Sequence, residues 1–335
     1  MTTPGTVVYI THESNILKDN PLGDPHIRRF PVYTPPNYDP EAETKYPVIF
    51  GIPGFMGYGD RYLQGDMFKQ PFNEMLDELI NGGKMPPVLY VMPNCLTYYG
   101  GSQYVNSSAV GNYEDYIIQE LVPFIDENFR TTGSRGIMGG SSGGVGSFSL
   151  AARHPGSFCA FADHSGDSAF EYCYLADVPR FISAIEKYDH DLTTFKKVIH
   201  DRSVPKDGSF MALLGLFAMS ACYSPNPATK PLGFDLPFDI HTGELDQEIW
   251  QRWLAFDPVH MVERYRENLK QLKFIYVDCG KRDQFNLLLG ARQLHARLEQ
   301  YSIDHVYEEY DSDHFLLRKE QKRKSIPLLA KALSE

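Results

Sequence analysis

The stretch Arg135 to Ser147 reads R-G-I-M-G-G-S-S-G-G-V-G-S. A short apolar run enters glycines, two serines stand among them, and more glycines follow. The run contains G-x-S-x-G, the pattern of a sharp strand-to-helix turn that lifts a nucleophilic serine out of the backbone. Positions two before and two after that serine must be nearly free of side chain for the turn to close. The pattern fits two frames. Gly139-Gly140-Ser141-Ser142-Gly143 makes Ser141 the nucleophile, and Gly140-Ser141-Ser142-Gly143-Gly144 makes it Ser142. The frame matters because the residue after the nucleophile gives its N–H to a developing oxyanion. A phosphate-cradling loop is the main rival for such a turn. No Gly-Lys-Ser/Thr follows, however, and the spacing is not G-x-G-x-x-G.

The surrounding sequence supplies the strand and the helix that the turn requires. Thr6 to Thr11 and Arg28 to Thr34 read as an antiparallel start, with turn chemistry at Asn20 to Pro25. Strands are expected at Pro47 to Ile52, Val88 to Met92, Arg135 to Met138 and Cys159 to Ser165. Helices are expected between them at Met67 to Ile80, Tyr113 to Asn128 and Val145 to Arg153. Alternation resumes with a strand at Phe274 to Asp278, a helix at Leu287 to Tyr301, a strand at His305 to Tyr310 and a helix at Lys319 to Leu333. Such an order predicts an α/β fold with a mostly parallel central sheet flanked by helices. Between Gly166 and about His260 the alternation lapses into helical pieces and a Pro-rich connector, Ser224 to Pro237. We read the chain as a single domain, 1–335, with a helical cap insertion over approximately 167–258.

Bulk properties narrow the function classes. The 335 residues are 42% hydrophobic and 22% charged, which favours a well-buried core over disorder. Thirty-two basic against forty-three acidic side chains leave a net charge of −11, which argues against nucleic acid or an anionic membrane as partner. The basic cluster Arg318 to Lys324 reads as a solvated helix face. Five scattered cysteines without C-x-x-C suggest free thiols in a reducing compartment. Met1 to Val8 lacks the features of a signal peptide, so a cytoplasmic location is expected, a cleaved leader apart. The longest apolar run, Phe210 to Cys222, is too short to span a bilayer.

A serine hydroxyl needs a base to take its proton and an acid to orient that base. In this fold class the chain order is Ser, then Asp or Glu, then His, each in a loop after a strand. His314 follows the His305 to Tyr310 strand and is the base candidate over His164, His241, His295 and His305. Asp283 and Asp278 compete for the acid. Asp283 is favoured because it lies in the loop, while Asp278 reads as shaping the strand end. Asp311 and Asp313 read as loop formers. The second oxyanion N–H is expected from Pro53-Gly54-Phe55-Met56-Gly57, at Phe55 with Met56 as the alternative. No H-E-x-x-H occurs, so neither metal nor cofactor is expected.

Together these residues resemble the putative-esterase family of the α/β-hydrolase superfamily, the group around esterase D and enterochelin esterase. The resemblance runs from Arg28 to about Leu329. It rests on Tyr46 to Gly54, Tyr99-Gly100-Gly101-Ser102-Gln103-Tyr104, Gly111 to Pro123, the elbow with Arg153-His154-Pro155 after it, Asp278-Cys279-Gly280 with Asp283, and Tyr310 to His314. The family elbow G-x-S-x-G-G-x-G superposes on Gly139 to Gly146. That implies Ser141 as nucleophile and Ser142 as oxyanion residue, where the family often has methionine. Pro53 stands where many relatives have histidine. The resemblance implies a serine carboxylesterase acting through an acyl-enzyme on a small-molecule ester. The alternatives are an acyltransferase on the same triad and a non-catalytic binding protein.

Weaker expectations remain. Tyr98, Tyr99 and Tyr104 lie in the loop after the Val88 to Met92 strand and are candidate pocket residues. Asp167 and Glu171 follow the Cys159 to Ser165 strand and could bind a polar substrate group or cap a helix. Trp250, Trp253 and Phe256 sit at helical spacing, in core packing or in a pocket wall. A homodimer is one expected assembly.

Overall fold

The computed structural model describes residues 3–65, 67, 70–315 and 318–335. Its centre is an eight-stranded sheet. The strands are β1 (Thr6–Glu13), β2 (Ile27–Thr34), β3 (Tyr46–Ile52), β4 (Leu89–Val91), β7 (Thr131–Gly140), β8 (Ala160–His164), β9 (Phe274–Gly280) and β10 (Val306–Tyr310). A small hairpin, β5 (Asn106–Ser107) and β6 (Gly111–Asn112), stands apart. The sheet order is β1-β2-β4-β3-β7-β8-β9-β10. β1 and β2 are antiparallel, β2 meets β4 antiparallel, and every later pair is parallel. The mostly parallel sheet is what the alternation predicts, and it agrees with the α/β-hydrolase fold that the family resemblance implies.

Burial explains the order. Every residue of β3 and β8 is buried, because helices cover both faces of an interior parallel strand. β1 alternates between exposed and half-buried, as suits the sheet edge. One hydrophobic cluster joins Val48, Phe50 and Phe161 to Phe181, Phe217 and Trp253 of the insertion. The other holds Ile49, Met138 and Tyr276 against Phe72, Leu76, Ile326 and Leu329.

Most expected elements form, with local differences. The first long helix spans Phe72–Asn81 rather than starting at Met67, because Pro71 stands at its N-cap. Asp66, Phe68 and Lys69 lie outside the described residues. Its Phe72, Met75, Leu76 and Leu79 face inward at helical spacing. The expected helix Tyr113 to Asn128 is continuous but takes a π-helical turn over Tyr116–Leu121. The run Phe210 to Cys222 lies in a helix, Gly208–Tyr223, that is apolar nearly all round because the core surrounds it. A helix at Pro258–Leu269, absent from the sequence reading, leads back to the sheet. Among the described residues no helix is long and apolar enough to cross a membrane. All five cysteines are free thiols.

The C-terminal helix, Arg318–Ser334, packs beneath β7, β8, β9 and β3. The insertion between β8 and β9 is helical throughout its ordered pieces. Its first residues, after His164, meet the strand ends where β7 delivers the Gly/Ser turn.

Candidate active site

Ser141 sits between the end of β7 and a helix, Ser142–Arg153, with φ 58° and ψ −129°. A serine in that region is strained by about 1–3 kcal/mol and persists only where neighbours over-determine it. Here its N–H donates to the carbonyls of His164 at 3.0 Å and Ser165 at 3.1 Å. Its own carbonyl accepts from Gly144 at 2.7 Å and Val145 at 3.2 Å. The glycines serve as the motif requires. A Cβ on Gly139 or Gly143 would strike the carbonyl of Ile52. Gly54 approaches from the other side, where a Cβ would lie 2.9 Å from the Gly140 carbonyl and 3.3 Å from Ser141 Cβ.

His314 and Asp283 meet although 31 residues separate them. His314 Nδ1 and Asp283 Oδ2 are 2.7 Å apart, with both side chains buried. Each loop is held in place by its own bonds. Asp283 Oδ1 accepts the Phe285 N–H at 2.9 Å, and the His314 N–H donates to Gln284 Oε1 at 3.1 Å. The rings of Phe285 and Phe315 flank the imidazole edge-on at 4.9 and 5.0 Å. Both phenylalanines are exposed, so the rim beside His314 is apolar.

The Pro53 to Gly57 loop lies across from the turn. Met56 N–H donates to the Gly100 carbonyl at 2.7 Å, and Gly57 N–H to Gly54 at 2.9 Å. No acceptor meets the Phe55 N–H among the described residues. Ser142 opens its helix, where the first N–H groups have no intrahelical acceptor.

An Asp–His–Ser hydrogen-bonded chain lies underneath. His164 Nδ1 and Asp278 Oδ2 are 2.7 Å apart, and Ser325 Oγ is 3.0 Å from His164 Nε2. Gln321 Nε2 donates to Asp278 Oδ1 at 3.2 Å. All three members are buried, with Ser325 and Asp278 fully enclosed. Burial raises the Asp278 carboxyl, and the bond and charge of His164 oppose that rise. Sequence reasoning gave Asp278 to the strand end and left Ser325 unmentioned. Its side chain instead anchors the histidine whose carbonyl holds the Ser141 N–H.

Asp167 stands at the same edge. Its Oδ2 accepts the Ser142 hydroxyl at 3.1 Å and the Tyr174 hydroxyl at 2.9 Å. Gln103 Nε2 donates to the hydroxyl oxygens of Tyr174 and Tyr223, each at 3.3 Å. Gln103, Tyr174 and Tyr223 were not singled out from the sequence, since nothing in spacing ties residues of three separate segments. The other pocket candidates lie deeper. Tyr104 is buried and its hydroxyl donates to the Pro53 carbonyl, so it braces the loop. Tyr99 is fully buried, edge-on to Phe217 at 4.9 Å. Trp253 is 0% exposed and donates its indole N–H to Ser224 at 2.9 Å. All three side chains, expected as substrate contacts, are buried in packing in this structure.

The chain also matches known proteins. A family model described as putative esterase covers residues 25–316. This chain belongs to that family. Two curated relatives in the putative-esterase comparison, Esterase MT1326 and Esterase Rv1288 of Mycobacterium tuberculosis (strains CDC 1551 / Oshkosh and H37Rv), are 33% identical over 147 residues. That match takes in 41% of this chain and spans 29% of the length of those relatives. A solved ferulic acid esterase superposes with a TM-score of 0.62 at 18% identity, covering 98% of this chain and 99% of its own. An S-formylglutathione hydrolase from Agrobacterium tumefaciens gives 0.62 at 16% identity, covering 99% and 97%. At such identities the likeness is one of fold.

The rival histidines of this family member are occupied elsewhere. His295 and His305 bond each other at 2.7 Å, and His241 stacks near His190. Asp313 accepts the Phe315 N–H at 2.8 Å and Asp311 pairs with Arg282, both shaping the loop. Glu171, Asp257 and His260 bring ligand atoms within 4.8 Å of one another. Asp257, however, already accepts backbone N–H groups from Ala169, Val259 and Phe170 at 2.8 to 3.0 Å, which leaves it little capacity for an ion.

Proposed function

We propose that this chain is a serine carboxylesterase with Ser141 as nucleophile, His314 as base and Asp283 as the orienting acid. The observation that carries the reading is the buried 2.7 Å bond between His314 Nδ1 and Asp283, in the loops that follow β10 and β9. It fixes the tautomer, so Nε2 is the nitrogen that takes the Ser141 proton. Ser141 Oγ bonds to the ester carbonyl carbon, and the carbonyl oxygen becomes an alkoxide. The N–H groups of Ser142 and Phe55 stabilise that charge. Phe55 is preferred to Met56 because the Met56 N–H already donates to Gly100. Collapse expels the alcohol, which leaves with the proton held by His314. Water then gives a proton to His314 and attacks the acyl carbonyl carbon, and on collapse His314 returns that proton to Ser141 Oγ as the acid leaves.

Ser141→Ala should lower kcat on p-nitrophenyl butyrate by at least about a thousandfold while thermal unfolding stays cooperative. Retained turnover in that variant would sink the assignment. A loss seen only in Ser142→Ala would move the nucleophile by one residue.

A further inference from the structure

A carboxylate beside an oxyanion site is costly, and Asp167 keeps only 7% of its surface. Burial raises its carboxyl above the ordinary range, and Asp283 adds to that rise. The bonds from Tyr174 and Ser142 and the charge of His314 act against it. A buried acid of this kind is expected to have its oxygens met by donors. One of them is: Oδ2 takes both the Tyr174 and the Ser142 hydroxyl hydrogens. Among the described residues Oδ1 receives no donor. Nor is it among the buried polar atoms sealed off without a partner, so it stays within reach of solvent or a ligand. The hydroxyl hydrogens of Tyr174 and Ser142 go to Oδ2, and the Gln103 amide serves the hydroxyl oxygens of Tyr174 and Tyr223.

The place of this open acceptor narrows what could fill it. Ser142 is the proposed oxyanion residue, and Asp167 lies one hydrogen bond beyond its side chain. That neighbourhood persists from the first attack to the hydrolysis of the acyl-enzyme. The part of the substrate that stays with it through both steps is the acyl group. A donor on one of the first acyl carbons would stay beside Asp167 through both steps, whereas one on the alcohol leaves after the first.

We propose that Asp167 Oδ1 receives a hydrogen-bond donor on the acyl part of the substrate, and that the preferred esters are therefore hydroxyacyl or aminoacyl esters. The proposal rests on the esterase reading above. A site built to bond a donor discriminates against the analogue that lacks it, because the acceptor is then left unmet.

The test compares kcat/KM on p-nitrophenyl butyrate, 3-hydroxybutyrate and 3-aminobutyrate, for the wild type and for Asp167→Asn. The amide can still accept from Tyr174 and Ser142 but presents NH2 at the open position. The wild type should favour a donor-bearing ester over butyrate by about tenfold or more. In Asp167→Asn that ratio should fall to about one, whatever happens to the separate rates. A hydroxy preference assigns the acceptor to alcohols and an amino preference to ammonium groups. Equal kcat/KM on all three esters in the wild type overturns the proposal, and so does a preference that survives in Asp167→Asn. The wild-type ratio decides alone if the variant does not fold. If the wild type cleaves none of the esters, the esterase reading fails. The acceptor is then judged by thermal shift with free 3-hydroxybutyrate and 3-aminobutyrate against butyrate. Equal shifts overturn it and a larger shift with either donor-bearing acid supports it.

Discussion

Ser141 holds a backbone conformation that an isolated serine would leave at once. The strain of about 1–3 kcal/mol is offset by bonds to His164, Ser165, Gly144 and Val145, and by glycines that let those partners close in. Gly143→Ala tests this directly. Its Cβ would press on the Ile52 carbonyl and lie 2.9 Å from the Pro53 carbonyl, so the turn must open. We expect a loss of about 3 kcal/mol or more in urea unfolding, together with loss of turnover. Asp283→Asn asks a different question. It should keep the fold and lower kcat by roughly ten-thousandfold, with KM little changed, because the imidazole loses its tautomer. A drop of less than tenfold would remove Asp283 from its proposed role. These residues were legible in the sequence for a physical reason. A strained turn tolerates few residue types, and the acid and base must follow strands in a set order. Gln103, Tyr174 and Tyr223 obey no such rule and emerged only when their segments met.

At the scale of elements, β8, β9 and the C-terminal helix share one buried polar chain. His164 comes from the end of β8, Asp278 from β9 and Ser325 from the helix below. Removing the middle member should be the most damaging. His164→Ala leaves the Asp278 carboxylate enclosed without its partner, a change worth about 3–5 kcal/mol. Ser325→Ala deletes one hydrogen bond and should cost about 1 kcal/mol. Equal and small losses in chemical denaturation would show that the chain does not hold the elements together. The sequence did not disclose this chain, since its bonds cross 114 and 161 positions. It did disclose the strands. An interior parallel strand is apolar along its whole length, as Pro47 to Ile52 is, and that signal is local. Helix starts were less clear: the pattern from Met67 hid the stop that Pro71 imposes.

At the scale of the molecule, Asp257 ties the beginning of the insertion to its end. Its carboxylate accepts from Ala169 and Phe170 at one side and Val259 at the other. Burial pushes its carboxyl up to about 6, against the backbone bonds that favour the charged form. The raised value means that the folded state holds this proton more firmly than the unfolded chain. The contribution is therefore full below about pH 4, where both states are protonated, and is lost as pH rises through about 6. Urea midpoints of wild type and Asp257→Asn should shift against the wild type between pH 4 and pH 7. A constant difference would refute the linkage. The insertion is where the sequence said least. Pro258–Leu269 buries Val259, Met261 and Val262 on one side, but a departure from helical geometry at Tyr265 breaks the period, and the helix was missed for that reason.

The C-terminal helix has a consequence in time. Ser141 is made well before His314, its proposed base, and before Ser325, which underpins His164. A polypeptide still tethered to the ribosome past residue 305 would carry the nucleophile with neither its proton acceptor nor the floor beneath His164. Catalytic competence would therefore come only after both residues have emerged and their loop and helix have packed onto the sheet.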